Sequence, residues 1–157
     1  MIMVRPAVAG DEGLLLVWAN DPVARASGFQ PEPISADTHH RWFVQRLAEP
    51  ASSRIWIGLE DGQPIGVVRV ELAPDGYLMV SISVDAARRG QGTSRPLLDA
   101  GLAAARTAFP GTPFRAWIRH DNGASLALFA GAGFEPPIQR PAIPLGAGPE
   151  AVVLERD

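Results

Sequence analysis

Two hydrophobic periods alternate along this chain. Met1 to Val8 mixes β-branched and apolar residues and stops near Gly10, which predicts a first strand. Asp11 to Asn20 is acidic at its start, where the helix dipole favours negative charge, and carries the apolar run Leu14 to Ala19, so a short helix is expected there. Asn20-Asp21-Pro22 stops it, Pro22 to Ser27 has room for another helical turn, and the proline-rich stretch Phe29 to Ile34 reads as a loop. Ser35 can cap the next helix, with His39, Phe43 and Leu47 on one stripe at i, i+4 and i+8 and Trp42 beside it. That stripe is expected to face the body of the protein.

The pattern then becomes strand-like. Ile55 to Glu60 and Ile65 to Leu72 read as strands joined by Glu60-Asp61-Gly62-Gln63, whose Asp-Gly pair is a strong hairpin signal. Pro74-Asp75-Gly76 repeats the device before a strand at Tyr77 to Val84, so antiparallel strands follow one another. Helical spacing returns with Leu97, Leu98, Gly101, Leu102, Ala105 and Phe109 on one face, closed by Pro110-Gly111. Phe114 to Arg119 is the next strand, Asn122 to Ala132 a helix ended by the glycines at 131 and 133, and Phe134 starts another strand. Pro136 to Pro149 is rich in proline and glycine, and Ala151 to Glu155 is the last strand expected.

Composition narrows the class. The chain has 157 residues, 46% hydrophobic and 20% charged, enough for one domain with a core that folds unaided. The net charge is -3 and all 14 basic residues are arginine, so no lysine cluster makes a nucleic-acid footprint. The absence of cysteine removes disulfides, thiolate zinc sites and a cysteine nucleophile together, and a cytoplasmic location is the default expectation. The N-terminus lacks the charge order of a signal peptide, and the apolar runs fall short of the roughly 20 residues that span a bilayer, so no membrane is expected. His39 and His40 are adjacent and lie on different helix faces, so no metal pair arises.

The chemistry concentrates after the strand Ile82-Ser83-Val84, where Asp85-Ala86-Ala87-Arg88-Arg89-Gly90-Gln91-Gly92-Thr93-Ser94 leads into a helix. Two glycines allow a tight turn and a close approach of backbone to a bulky ligand. The N–H groups of the helix start, with the positive end of the dipole behind them, form a ready site for a pyrophosphate, and the arginines at 88, 89 and 95 are expected to add charge. Alone, such a loop is equally a plain turn. It is not a P-loop, because no Gly-Lys-Ser or Gly-Lys-Thr follows.

Val84 to Leu98 resembles the acetyl-CoA-binding signature of the GNAT superfamily of N-acetyltransferases, Gln/Arg-x-x-Gly-x-Gly/Ala, with Arg89, Gly92 and Ser94 at the specified positions and Ser94 departing from the usual small residue. Asn122-Gly123-Ala124-Ser125-Leu126-Ala127-Leu128-Phe129-Ala130-Gly131-Ala132-Gly133-Phe134 resembles the superfamily's second pattern of Asn, a small-residue helix, an aromatic and Gly-Phe. The element order agrees with that fold as well. The resemblance implies an α/β (α+β) fold over 1–157 as a single acetyltransferase domain. Its one mixed, mostly antiparallel sheet would have about six or seven strands, with helices on both faces and a splay between the fourth and fifth strands.

The same resemblance implies acetyl-CoA as cosubstrate and direct transfer of acetyl to an amine, without a metal. Its cofactor-binding set would be Ile82, Ser83, Val84, Arg89, Gly90, Gln91, Gly92, Thr93, Ser94, Asn122 and Phe129. Many relatives carry a tyrosine as general acid where this chain has Phe129, and a phenyl ring cannot donate. Glu71 is the candidate base, acting through water, or else a solvated strand-end carboxylate. Trp18-Ala19-Asn20-Asp21-Pro22-x-x-Arg25 followed by His39-x-x-Trp42-Phe43 resembles the branch that acetylates nucleotide-linked amino sugars and, more distantly, ribosomal-protein N-termini. Asn20, Arg25, His39 and Trp42 are therefore candidates for the acceptor cleft; Asn20 is equally a helix stop, and His39 reads first as a residue packed between helix and sheet. The partner expected is a small-molecule amine, with protein N-terminal acetylation and non-catalytic acyl-CoA binding as alternatives and a homodimer among the assembly states left open.

Overall fold

A computed structural model describes residues 1–157. Six strands lie in one sheet in chain order: β1 (Ile2–Pro6), β2 (Ser53–Glu60), β3 (Gln63–Leu72), β4 (Leu78–Val84), β5 (Phe114–Ile118) and β6 (Val152–Arg156). Neighbours are antiparallel except β4 and β5, which run parallel. Helices α1 (Glu12–Ala19), α2 (Pro22–Ser27) and α3 (Ala36–Leu47) precede β2, α4 (Ser94–Ala108) joins β4 to β5, and α5 (Gly123–Gly131) follows β5.

Local chemistry explains most of these boundaries. Asp61 and Gly62 take positive φ of 50° and 75° between β2 and β3, the backbone that an Asp-Gly hairpin turn requires. Ser35 and Asn122 accept the amides of Thr38 and Ser125 and so cap α3 and α5. The strand expected from Phe134 shrinks to one bridge, Glu135 to Glu155, because Pro136 and Pro137 have no N–H to continue a ladder. Asp11 is drawn out of α1 into a 3-10 turn, accepting the Val8 amide at 2.8 Å while both its oxygens take bonds from Arg5.

The two sheet faces serve different purposes. Val68, Val70, Leu78, Val80, Phe114, Ala116 and Ile118 share a core with Leu97, Leu98, Leu102 and Ala105 of α4 and Phe129 of α5. Packing there is close, since a Cβ added at Gly101 would lie 2.6 to 2.7 Å from the Val68 side chain. The other face buries Ile55, Ile57 and Val67 under Leu15, Trp18 and Phe43 of α1 and α3. Strand alternation places Arg69, Glu71, Met79, Ser81 and Trp117 on this second face.

Between β4 and β5 the sheet opens. Pairing is confined to Leu78 with Phe114 and Met79 with Arg115, although β4 continues to Val84 and β5 to Ile118. No helix is long and apolar enough to cross a membrane.

Candidate active site

The opening leaves strand-edge groups free. The Leu78 N–H bonds Pro113 O at 2.8 Å on the β5 side and the Asp85 N–H bonds Ile65 O at 2.9 Å on the β3 side. Alternation between these two bonds turns the N–H and C=O of Ile82 toward β5, which is no longer within pairing distance. A cleft of about 570 Å³ follows the gap, walled by Ile82, Ser83 and Val84 of β4 and by Trp117, Ile118 and Arg119 of β5 and its end.

At the mouth of this cleft, Arg89, Gly90 and Ser94 add to the wall. Gly90 and Gly92 have φ of 75° and 72°, and a Cβ built on either would meet no atom within 4 Å, so the loop is bent for glycine beside open space. None of the amides of Gly90, Gln91, Gly92, Thr93, Ser94 and Arg95 donates to a protein acceptor; the first bonded amide of α4 is Leu97, to Thr93 O. Six free N–H groups at the positive end of a 15-residue helix make an anion cradle. Gln91, Gly92 and Thr93 do not wall the cleft: the Gln91 side-chain Nε2 donates to Ala87 O at 3.0 Å, and the buried Thr93 hydroxyl donates to Arg88 O at 3.4 Å, so these side chains brace the turn.

The arginines around this loop are engaged elsewhere. Arg88 pairs with Glu60 at 2.9 Å, Arg89 with Asp21 at 2.6 Å, and Arg95 with Asp99 at 3.0 Å. The free positive charge expected from them is therefore largely neutralised, which leaves the backbone amides as the unengaged donors of the turn. Asp85 anchors the loop from beneath, accepting Trp18 Nε1 at 2.7 Å and the Ala87 amide at 2.9 Å. These bonds, the tryptophan's first, hold its carboxyl below the usual range.

The second motif is half structural. Asn122 lines the cleft and caps α5, and Phe129, 3% exposed, lines it too while meeting Phe134 edge-on at 5.0 Å. Tyr77 lies outside this cleft, with its ring 4.1 Å from the Arg115 guanidinium.

A second cleft of about 380 Å³ lies on the α3 face and contains Arg25, Trp42 and Glu71 among its lining residues. Phe29, Arg69, Val80, Ser81 and Trp117 line both clefts, so the two meet there. Glu71 is held by Arg46 at 3.0 Å and remains 43% exposed. Arg25 donates to Gln30 O.

Two acceptor-cleft candidates are elsewhere. His39 is 4% exposed, packed against Trp42 and Phe43, and lines neither cleft; burial holds its imidazole below the ordinary value. Its ring turns inward because the stripe it belongs to covers β2. Asn20 is consumed by the chain itself, its amide nitrogen donating to Ile34 O at 2.8 Å and its oxygen accepting Ile34 N–H at 2.7 Å. Sequence reasoning passed over Arg69, Phe29 and Ser81. The available signal for Arg69 was its place two residues before Glu71 in an otherwise apolar strand, which puts both charges on one sheet face.

A sheet opened between parallel neighbours, with a glycine turn and an amide-rich helix start at the mouth, defines the acetyltransferase fold that the two motifs imply. The acetyltransferase (GNAT) domain family matches residues 2–135, and the chain belongs to that family. A mycothiol acetyltransferase from Clavibacter michiganensis subsp. michiganensis is 41% identical over 75 residues, 48% of this chain but 23% of that protein, so the match spans about a quarter of that relative's length.

Among solved structures, an N-acetyltransferase from Staphylococcus aureus Mu50 superposes with a TM-score of 0.78 at 22% identity, covering 100% of this chain and 98% of that one. A ribosomal-protein-alanine N-acetyltransferase from Brucella melitensis gives 0.78 at 22% identity, with 98% of each chain covered. The spermidine N-acetyltransferase of Vibrio cholerae, in complex with CoA and spermine, gives 0.79 at 17% identity over 98% of this chain and 92% of that one. These likenesses establish the fold.

Proposed function

We propose that this chain is an acetyl-CoA-dependent N-acetyltransferase acting on the primary amine of a small molecule. The observation that carries the proposal is the meeting of two clefts at Val80, Ser81 and Trp117, one ending in a free-amide anion cradle and the other containing a carboxylate. Acetyl-CoA, when bound, supplies an acetyl group on a good leaving thiol. The amides of Gly90 to Arg95 suit its pyrophosphate, and the unpaired strand edge at Ile82 offers N–H and C=O groups to the pantetheine arm. The same edge can donate a hydrogen bond to an acyl oxygen.

Glu71 is the only carboxylate lining the acceptor cleft and is the group we assign to proton removal from the amine through water. No proton donor stands at Phe129, and none is required in full, because a thiol with a pKa near 8.5 leaves readily as thiolate. A small acceptor fits better than a peptide. The cleft is lined by Phe29 and Gln30 from one loop and by Pro144 to Ala147 from another, and Gln30 reaches so close to Gly146 that a Cβ there would lie 2.6 Å from its Nε2. Thiol release should be followed over a panel of small amines, nucleotide-linked amino sugars and peptides with free N-termini. Turnover with small amines is expected; turnover with peptides alone, or none, would contradict the proposal.

A further inference from the structure

We infer that the acceptor amine carries an anionic group, a carboxylate or a phosphate, and that Arg69 binds it. This rests on the transferase reading above and names the substrate class of the same site. Arg69 lines both clefts at their junction and is half-buried there. It makes no hydrogen bond and no ion pair, whereas Arg89 and Arg119, which also line the wider cleft, are held by Asp21 and Asp121. Its one close partner is the Trp42 ring, 5.0 Å from the guanidinium carbon. Stacking uses the face of a guanidinium and leaves its N–H edge free for a planar or tetrahedral oxyanion.

The surroundings lack the charge that such an arginine needs. The acceptor cleft is lined by Arg25, Arg46, Arg69 and, on the other side of the balance, Glu71 alone. Glu71 is already engaged by Arg46, and the Nε atoms of Arg25 and Arg46 are buried without a partner. Burial pulls the Arg69 guanidinium below its usual value; Glu71 opposes this and Arg46 adds to it, so a ligand anion would relieve the site. The cofactor's phosphates do not reach this place. Arg69 stands opposite Ser81 in the β3–β4 register, and the cradle begins after Val84, about 10 Å further along the strand. An acceptor amine without a compensating anion would instead bring a second cation beside an unpaired arginine.

The test uses wild-type protein with coenzyme A and matched pairs of amines, read by tryptophan fluorescence, which needs no turnover, and in parallel by thiol release with acetyl-CoA. Glycine with glycinamide and β-alanine with its amide form the carboxylate arm; O-phosphoethanolamine with ethanolamine and glucosamine 6-phosphate with glucosamine form the phosphate arm. In at least one arm the anionic member should bind about tenfold or more tighter than its neutral partner. Arg69→Gln should bring that ratio close to one, while Arg41→Gln, which removes the same charge from the exposed side of α3, should leave it intact. Equal binding within every pair, preference for spermidine, or a ratio that survives Arg69→Gln would overturn the inference. Absence of thiol release with every amine would count against the transferase reading alone, because the fluorescence ratios still decide this one.

Discussion

Phe129 packs its ring against Phe134 at 5.0 Å and is 3% exposed, so its contribution is to the core that joins α5 to β5 as much as to the cleft it lines. Phe129→Ala should lower stability by about 3 to 5 kcal/mol, the usual range for a buried ring, measurable by denaturant unfolding. Phe129→Tyr should leave turnover within about tenfold, since acid assistance is worth least for a good leaving group; a thousandfold gain in thiol release would contradict this. His39 titrates by a different logic. Burial, opposed by Glu12 and reinforced by Arg69, keeps its folded-state value below 6.5. The unfolded chain then takes the proton first, so stability from the neutral ring is complete above 6.5 and falls as pH drops through the folded value. His39→Leu should flatten this part of the Tm-against-pH profile, and parallel profiles for variant and wild type would refute it. Residues whose role is set by neighbours in sequence, such as Ser35, Gly62 and Asn122, were legible in advance. Asn20 and Arg69 were not, because what they meet, the backbone of Ile34 and the ring of Trp42, is decided only by the tertiary arrangement, whereas the packing of His39 between helix and sheet followed from its place on the inward stripe.

At the level of elements, α1 and α2 are fastened to the cradle loop by Trp18 to Asp85 and by Asp21 to Arg89, so the acceptor side and the cofactor side share supports. Periodicity revealed the helices, but these ties join residues 67 and 68 positions apart and leave no local trace. The loop carrying Phe29 depends on Asn20, whose two bonds to Ile34 close it. Asn20→Ala should cost about 1 to 3 kcal/mol and raise KM for the acceptor more than for acetyl-CoA, as two-substrate kinetics would show. Gly101 was read correctly as part of the buried face of α4, though not as a point of backbone contact. Gly101→Ala should destabilise by about 1 to 3 kcal/mol through its clash with Val68, and a neutral effect in thermal unfolding would show that α4 can lift off the sheet freely.

Across the whole molecule, one sheet divides the labour: a continuous antiparallel half packs α4, and the parallel β4–β5 junction parts after two residue pairs to admit a ligand. The strand order could be anticipated from hairpin signals and the two motifs, whereas the extent of the splay could not, since both strands remain apolar past the point where pairing stops. This opening and the amides of Gly90 to Arg95 are proposed to hold acetyl-CoA. Calorimetric titration of acetyl-CoA into wild-type protein and Gly92→Val tests it most directly. Wild type should bind with a dissociation constant on the order of 1 to 100 μM. Gly92→Val should lose that binding, because it sets a branched side chain in the space beside the cradle at a φ of 72°. No heat at millimolar acetyl-CoA, or wild-type affinity in Gly92→Val, would contradict it.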